Sequence, residues 1–522
     1  MSSRGTGMAV GLLPALLLVG CAVGPNFHAP AAPTVSGYTR GPLPAATSAT
    51  DAPGGAAQRF VAGRDIPGEW WELFHSPSLD RLIAEALRAN PTLAAAQASL
   101  REANENVYAA QGGLFPQVTG SFQAERQAFS GAEFGQNRGS AATFNLVTPT
   151  LAVSYPLDVF GGVRRQVEQL AATAEYQRFE LEAAYLTLTS NVVVAAVDAA
   201  SYRGQIAVTQ DIIRIEADQL KVLQQQFVLG AVPKAEVLSQ QATLAATQAT
   251  LPPLEKALSQ TRDQLAALVG RYPSQAPRAR FELAELTLPQ HLPVSLPSAL
   301  VADRPDVRAA TATLHAASAD IGVATANELP HFSISGEVGS EALGFGSLFT
   351  PATAIWNIAG GVTAPLFDGG TLLHKKRAAV AAFHQAAAQY RSTVLGAFQN
   401  VADALHALVS DADALAAQVA AERAAATSLD LARRQFQLGA INYPTLLDAE
   451  KTYQQARIGL VQAEAIRFAD TAGLFQALGG GWWHRADVAA AAEGSPDRLW
   501  IPGEAAEHSE RDEKSNLRKN AR

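Results

Sequence analysis

The sequence lacks most of what would point to chemistry. It holds one cysteine, Cys21, in 522 residues, so no disulfide can close within the chain. It has no basic excess: the net charge is −8. No nucleic-acid partner is therefore expected, since binding one needs an electropositive face. Aromatic residues are only 7%, and alanine dominates the apolar fraction, a bias that favours long, closely packed helices. There is no glycine-rich loop ending in Gly-Lys-Ser/Thr, no His-Glu-x-x-His and no Gly-x-Ser-x-Gly. The ten histidines are scattered. No catalytic residue, cofactor or metal is expected, and the chain reads as a non-enzyme. No helical stretch shows an uninterrupted apolar run of membrane-spanning length.

The lone cysteine is informative. Arg4 precedes an apolar run from Met8 to Gly20, which ends Leu18-Val19-Gly20-Cys21. A charged start, a short apolar stretch and a small residue before the cut describe a secretory signal over residues 1–20. The ending resembles the bacterial lipobox, which implies acylation of Cys21 and, with Ala22 after it, sorting to the outer membrane. Acyl chains hold at roughly 0.8 kcal/mol per buried CH₂. Residues 21–67 are rich in Pro, Ala, Gly, Ser and Thr and read as a lipidated, extended linker without a core.

From residue 68 onward the chain carries an internal duplication. Pro91, Pro116, Pro156 and Phe227 return as Pro305, Pro330, Pro365 and Phe436, at spacings of 214, 214, 209 and 209 residues. Two repeats, 68–270 and 297–484, are joined by a proline-punctuated connector, 271–296. Each repeat opens with helical periodicity. Each then alternates with period two over two stretches, "VTGSFQA" and "LAVSYPL" in the first and "HFSISGEV" and "AIWNIAGGV" in the second, which predicts a strand pair. Each continues as a helix of nearly 70 residues, close to 100 Å at about 1.5 Å per residue, bends at Gly230 or Gly439 and returns. From Arg485 to the end the chain is polar with scattered charges and reads as a disordered tail, 485–522.

Four strands per chain cannot close a barrel, and an open sheet edge is not tolerated in lipid. Several copies must share one: two would give eight strands and three would give twelve. The helices far exceed the roughly 30 Å hydrocarbon core and must extend into water, packed side by side as a tube.

The blocks "GCAVGPNF", "WWELF", "NPTL", "DRPDVRAATATLHAASADIGVATA", "APLFDGG", "AFQNVADAL" and "ALGGGWW" occur in this order. Together they resemble the TolC-like outer-membrane factors, and specifically the NodT-type lipoproteins of RND efflux systems, over about residues 18–484. The resemblance implies a mixed fold of helix and membrane strand: a homotrimer whose twelve-stranded barrel sits in outer-membrane lipid and continues as a periplasmic α-barrel. It implies a passive exit duct for small toxic compounds or drugs, served by a periplasmic adaptor protein and an inner-membrane RND pump. The alternative is the exit duct of an ABC-transporter protein secretion system of type I. A plain porin would have short periplasmic turns and fits the long helices poorly.

In such a duct the two bends form the periplasmic tip. The resemblance assigns Phe227, Gly230, Phe436 and Gly439 to adaptor docking. It places Asp448 at the constriction, where three copies would make an anionic ring that favours cations. Lys451 lies three residues on, on the same helical face, suited to hold a carboxylate in the closed state, and Tyr443 either stiffens the turn or narrows the mouth. Where some members carry a second aspartate, this chain has Thr445. Where some carry a bulky apolar residue, it has Pro444. The gate is therefore expected to be weaker in charge and differently shaped. Trp356 reads as a lipid-facing or interfacial aromatic.

Overall fold

The computed structural model describes residues 22–129 and 142–485. The signal segment 1–20, Cys21 and residues 486–522 of the tail lie outside the described residues. The elements run β1 (Arg59–Ala62), α1 (Pro77–Ala89), α2 (Pro91–Gln111), β2 (Gln117–Phe129), β3 (Ala142–Leu157), α3 (Gly162–Val228) and α4 (Lys234–Leu268). Then come β4 (His291–Val294), α5 (Pro297–Asp303), α6 (Pro305–Ala326), β5 (His331–Ser340), β6 (Ala354–Thr363), α7 (Thr371–Gln437) and α8 (Tyr443–Ala477). The duplication is plain in the lengths: α3 and α7 have 67 residues each, α4 and α8 have 35 each.

The four long strands form one antiparallel sheet in the order β2-β3-β5-β6. Its register aligns Val118 with Val153, Leu151 with Val338, and Val338 with Trp356. Side chains alternate between faces of a strand, so Val118, Phe122, Leu151, Val153, Ile334, Val338, Trp356, Ile358 and Val362 share one face, and all are exposed. The opposite face is polar: Ser121 and Thr150 are hydrogen-bonded at 2.6 Å, and Asn357 Nδ2 donates to Glu337 at 3.1 Å. One apolar and one polar face, both uncovered, is the pattern of a sheet between lipid and an aqueous lumen. β2 and β6 are its edges.

The core sits where the helices of both repeats meet. Trp70 stacks on Phe475 at 5.3 Å, and Phe74 contacts Phe468. The "DRPD" block closes this core. Arg304 binds Asp306 and donates to the Ala477 carbonyl at 2.7 Å, which tethers the end of α8. Trp482 Nε1 donates to the Asp303 carbonyl at 2.6 Å.

Two sequence expectations need correction. The 21–67 segment is not a coreless linker. β1 pairs in parallel with β4 from the connector, Ile66 and Gln58 are buried, and Tyr38 and Leu43 pack on the main core. Arg467, fully buried on α8, donates to the carbonyls of Gly54, Ala56 and Leu408. The Pro/Gly-rich composition hid this, because the few apolar side chains of the segment follow no period and much of its contribution is backbone carbonyls. α3 contains an 18-residue window of high mean hydropathy, 61% of it buried inside the chain, but Thr189, Ser190, Asn191 and Asp198 interrupt its apolar stretch. Its hydropathy serves helix packing. Arg485, assigned to the tail, is also held: it pairs with Glu182 at 2.5 Å and lies over Tyr185.

Candidate functional site at the helical tips

The two bends are built alike. The last turn of α3 ends with Gly230 N–H donating to Phe227 O at 2.9 Å and Ala231 N–H to Gln226 O at 2.8 Å. The last turn of α7 repeats it, with Gly439 N–H to Phe436 O at 2.9 Å and Ala440 N–H to Gln435 O at 2.8 Å. Gly230 has φ +74° and Gly439 φ +70°, the left-handed conformation that ends a helix and that glycine adopts at little cost. Nothing lies within 4 Å of the space a Cβ would fill at either glycine, so the requirement is backbone conformation alone. Around them Val228 (83%), Leu229 (81%) and Leu438 (83%) are exposed. Exposed apolar side chains at a helix end, left uncovered among the described residues, make a surface suited to contact.

The assigned residues divide. Phe227 is 43% exposed, and open space surrounds Gly230 and Gly439. Phe436 is half-buried, its ring 5.5 Å from that of Tyr443. Tyr443 cannot narrow a mouth: it is 1% exposed, in a small core with Leu223, Leu429, Ala432 and Leu446. Asp448 and Lys451 are both exposed on α8, and no ion pair joins them among the described residues. Thr445 and Asn442 cap α8 instead, Asn442 Oδ1 accepting from Thr445 N–H at 3.1 Å. Cys21 lies outside the described residues. The chain directly after it is pinned at the β3–α3 junction, where Val23 N–H donates to Phe160 O at 3.0 Å and Arg165 donates to Val23 O and Asn26 Oδ1.

Behind the second bend lies a polar layer that sequence reasoning missed. The Tyr443 hydroxyl donates to Gln240 Oε1 on α4, and Gln240 Nε2 donates to the Glu216 carbonyl on α3 at 3.0 Å. Glu216 Oε1 accepts from Gln454 and from Thr247, the latter at 3.1 Å. Glu450 on α8 accepts from Gln219 at 2.7 Å and lies 3.6 Å from Arg433. Glu216, Gln240 and Glu450 are buried, and Glu216 Oε2, Glu450 Oε2 and Gln219 Oε1 have no partner among the described residues. Burial pushes the carboxyls of Glu216 and Glu450 up from the usual carboxylate range, with Glu216 adding to the shift at Glu450. Burial also raises Tyr443, as do the nearby carboxylates. The layer ties the second hairpin to the first. Nothing in the sequence marks it, because Glu and Gln on an alanine-rich helix read as a solvated face.

A family model described as outer membrane efflux protein matches residues 82–271 and 296–480. The pyoverdine export outer membrane protein OpmQ of Pseudomonas putida is 30% identical, covering 79% of this chain and 88% of its own length. The cation efflux system protein CusC of Escherichia coli is 27% identical, covering 90% and 98%. The open-state crystal structure of the Neisseria gonorrhoeae MtrE outer membrane channel superposes with a TM-score of 0.73 at 25% identity, covering 88% of this chain and 99% of that one.

Proposed function

The chain belongs to the outer membrane efflux protein family, a TolC-like outer-membrane efflux channel that reaches into the periplasm, and on that premise we propose that it is the passive exit duct of a tripartite, RND-type efflux system. Three copies would join β2 of one chain to β6 of the next, removing both sheet edges and closing twelve strands with the polar face inward. The long helices would continue the pore. OpmQ is named for pyoverdine and CusC for cations, so a shared duct architecture serves cargo of different chemistry.

The observation that carries this reading is the pair of matched bends, each an open glycine turn rimmed by exposed Val228, Leu229 or Leu438. Six such tips in a trimer would present a quasi-sixfold apolar end to a periplasmic adaptor. Phe227 and the two glycines contribute to that surface, and Phe436 supports it from behind. Asp448, exposed near the start of α8, is assigned to the lumen constriction, with Lys451 beside it. The acylated Cys21 would tether the chain to the inner face of the outer membrane, next to the strands' periplasmic ends. Cross-linking in intact cells from a cysteine at Ala440 tests the docking. Capture of an adaptor-type periplasmic protein is expected, and an outer-membrane protein that captures none would instead be an independent channel. In a planar bilayer, Asp448→Ala is expected to weaken cation preference; unchanged selectivity would remove Asp448 from the gate.

A further inference from the structure

A groove of about 880 Å³ runs between α2, α3 and the Trp70–Phe74 turn. Leu87, Leu93, Leu100 and Leu181 form its apolar floor, and Glu69 and Glu72 stand on one rim. No element of the described chain fills it. The chain itself leads into it: Arg485, the last described residue, lines the groove and is fixed there by Glu182 and Tyr185. The sequence continues for 37 residues beyond that point, through Arg522. This stretch contains one run of three large apolar residues, Leu499-Trp500-Ile501, with Arg498 directly before it and Pro502 directly after.

We propose that the groove is the docking site of the chain's own C-terminal segment, with Leu499, Trp500 and Ile501 on the leucine floor and Arg498 at the Glu69–Glu72 rim. Reach is ample, since the 14 residues from Arg485 to Leu499 span up to roughly 46 Å when extended, and the groove begins where Arg485 ends. The chemistry is complementary. The floor offers apolar area to an otherwise polar segment, and a tryptophan supplies the largest such area per residue. Glu69 and Glu72 are two carboxylates on one turn, and burial and the like charge raise the Glu69 carboxyl. A guanidinium placed there relieves that repulsion and can engage both. Tethering adds a high effective concentration, so a modest contact is enough to keep the site filled. The site is remote from the bends and goes beyond the duct reading; it assigns a role to a tail that composition marks as featureless.

The test uses the full chain in detergent. Gln97→Cys, in the groove, is combined with Ile501→Cys and the pair is oxidised. The expected result is a disulfide within one chain, lost when Trp500→Ser and Leu499→Ser are added. A disulfide formed only between two copies would overturn the proposal, because the groove would then take a neighbour's segment. Independently, thiol labelling of Gln97→Cys alone is expected to speed up severalfold in a chain ending at Ala490. Equal labelling of full-length and shortened chains would mean the groove stands empty, and the proposal fails.

Discussion

The two bends share one turn and differ in everything behind it. Backbone hydrogen bonds and glycine φ values match closely. The returning helices do not start alike. α4 starts after Pro233 with no side-chain cap, and Lys234 is exposed. α8 starts after Asn442, which caps Thr445 N–H, and the position of Lys234 is taken by Tyr443, buried and bonded to α4. The tie between the two hairpins therefore comes from the start of α8, where Tyr443 reaches α4, and has no counterpart at the start of α4. Duplication explains the shared turn, since a left-handed glycine has few substitutes. The difference lies in one anchor, Tyr443 at the start of α8, that the start of α4 lacks.

Tyr443→Ala should break this comparison most strongly. It removes a buried aromatic and unpairs Gln240, and is expected to cost about 3–5 kcal/mol, the range for large core truncations. Lys234→Ala, its counterpart in the first hairpin, should stay within about 0.5 kcal/mol. Thermal unfolding with hydrogen exchange over residues 429–453 reads both, and similar losses would mean the anchor is not where the hairpins differ. Tyr443→Phe keeps the packing and strands Gln240 Oε1, for an expected loss of roughly 1–3 kcal/mol. In a bilayer the same variant should leak more often when the channel is otherwise closed.

The shared part should behave symmetrically. Gly230→Val and Gly439→Val each force a branched side chain into the left-handed region, at about 1–2 kcal/mol apiece. Open space around both glycines leaves no added clash. A marked inequality between the two would show that one turn carries tertiary strain. Asn442→Ala should cost about 1 kcal/mol through the lost cap, a loss with no counterpart at the first bend.

Much of this was legible in sequence because it rests on local periodicity. The period-two stretches gave strands whose apolar face is read directly from Val118, Phe122, Trp356 and Ile358. The long helices have the length the pattern predicts, 67 residues each, and end at Val228 and Gln437, just before Gly230 and Gly439. The tips were legible for the same reason, since Gly230 and Gly439 interrupt a helical pattern. What stayed hidden depends on contacts far apart in sequence. Arg467 reaches back more than 400 residues to Gly54 and Ala56, and β1 finds β4 across the whole first repeat. The Glu216–Gln240–Tyr443–Glu450 layer is the clearest case. Each member alone is an ordinary polar residue on a helix, and only the packing of α3, α4 and α8 takes them out of water.

That layer gives the smallest expected effect and sharpens the comparison most. Burial raises the Glu216 and Glu450 carboxyls in the folded chain, so the folded state binds their protons more tightly than the unfolded one. Their protonated, stabilising form is then fully present below the ordinary carboxylate range. It is lost as pH rises through the raised values. The second hairpin should loosen as pH increases across that window, seen as faster hydrogen exchange near Tyr443. The first bend should change less: its position equivalent to Glu450 is Gln241, which is neutral and exposed. Glu450→Gln mimics the protonated acid and keeps a partner for Gln219, so it should flatten the pH response without lowering stability at the acidic end. A response that persists in Glu450→Gln but vanishes in Glu216→Gln would move the proton to α3. Opening would then be driven from the first repeat against the anchored second.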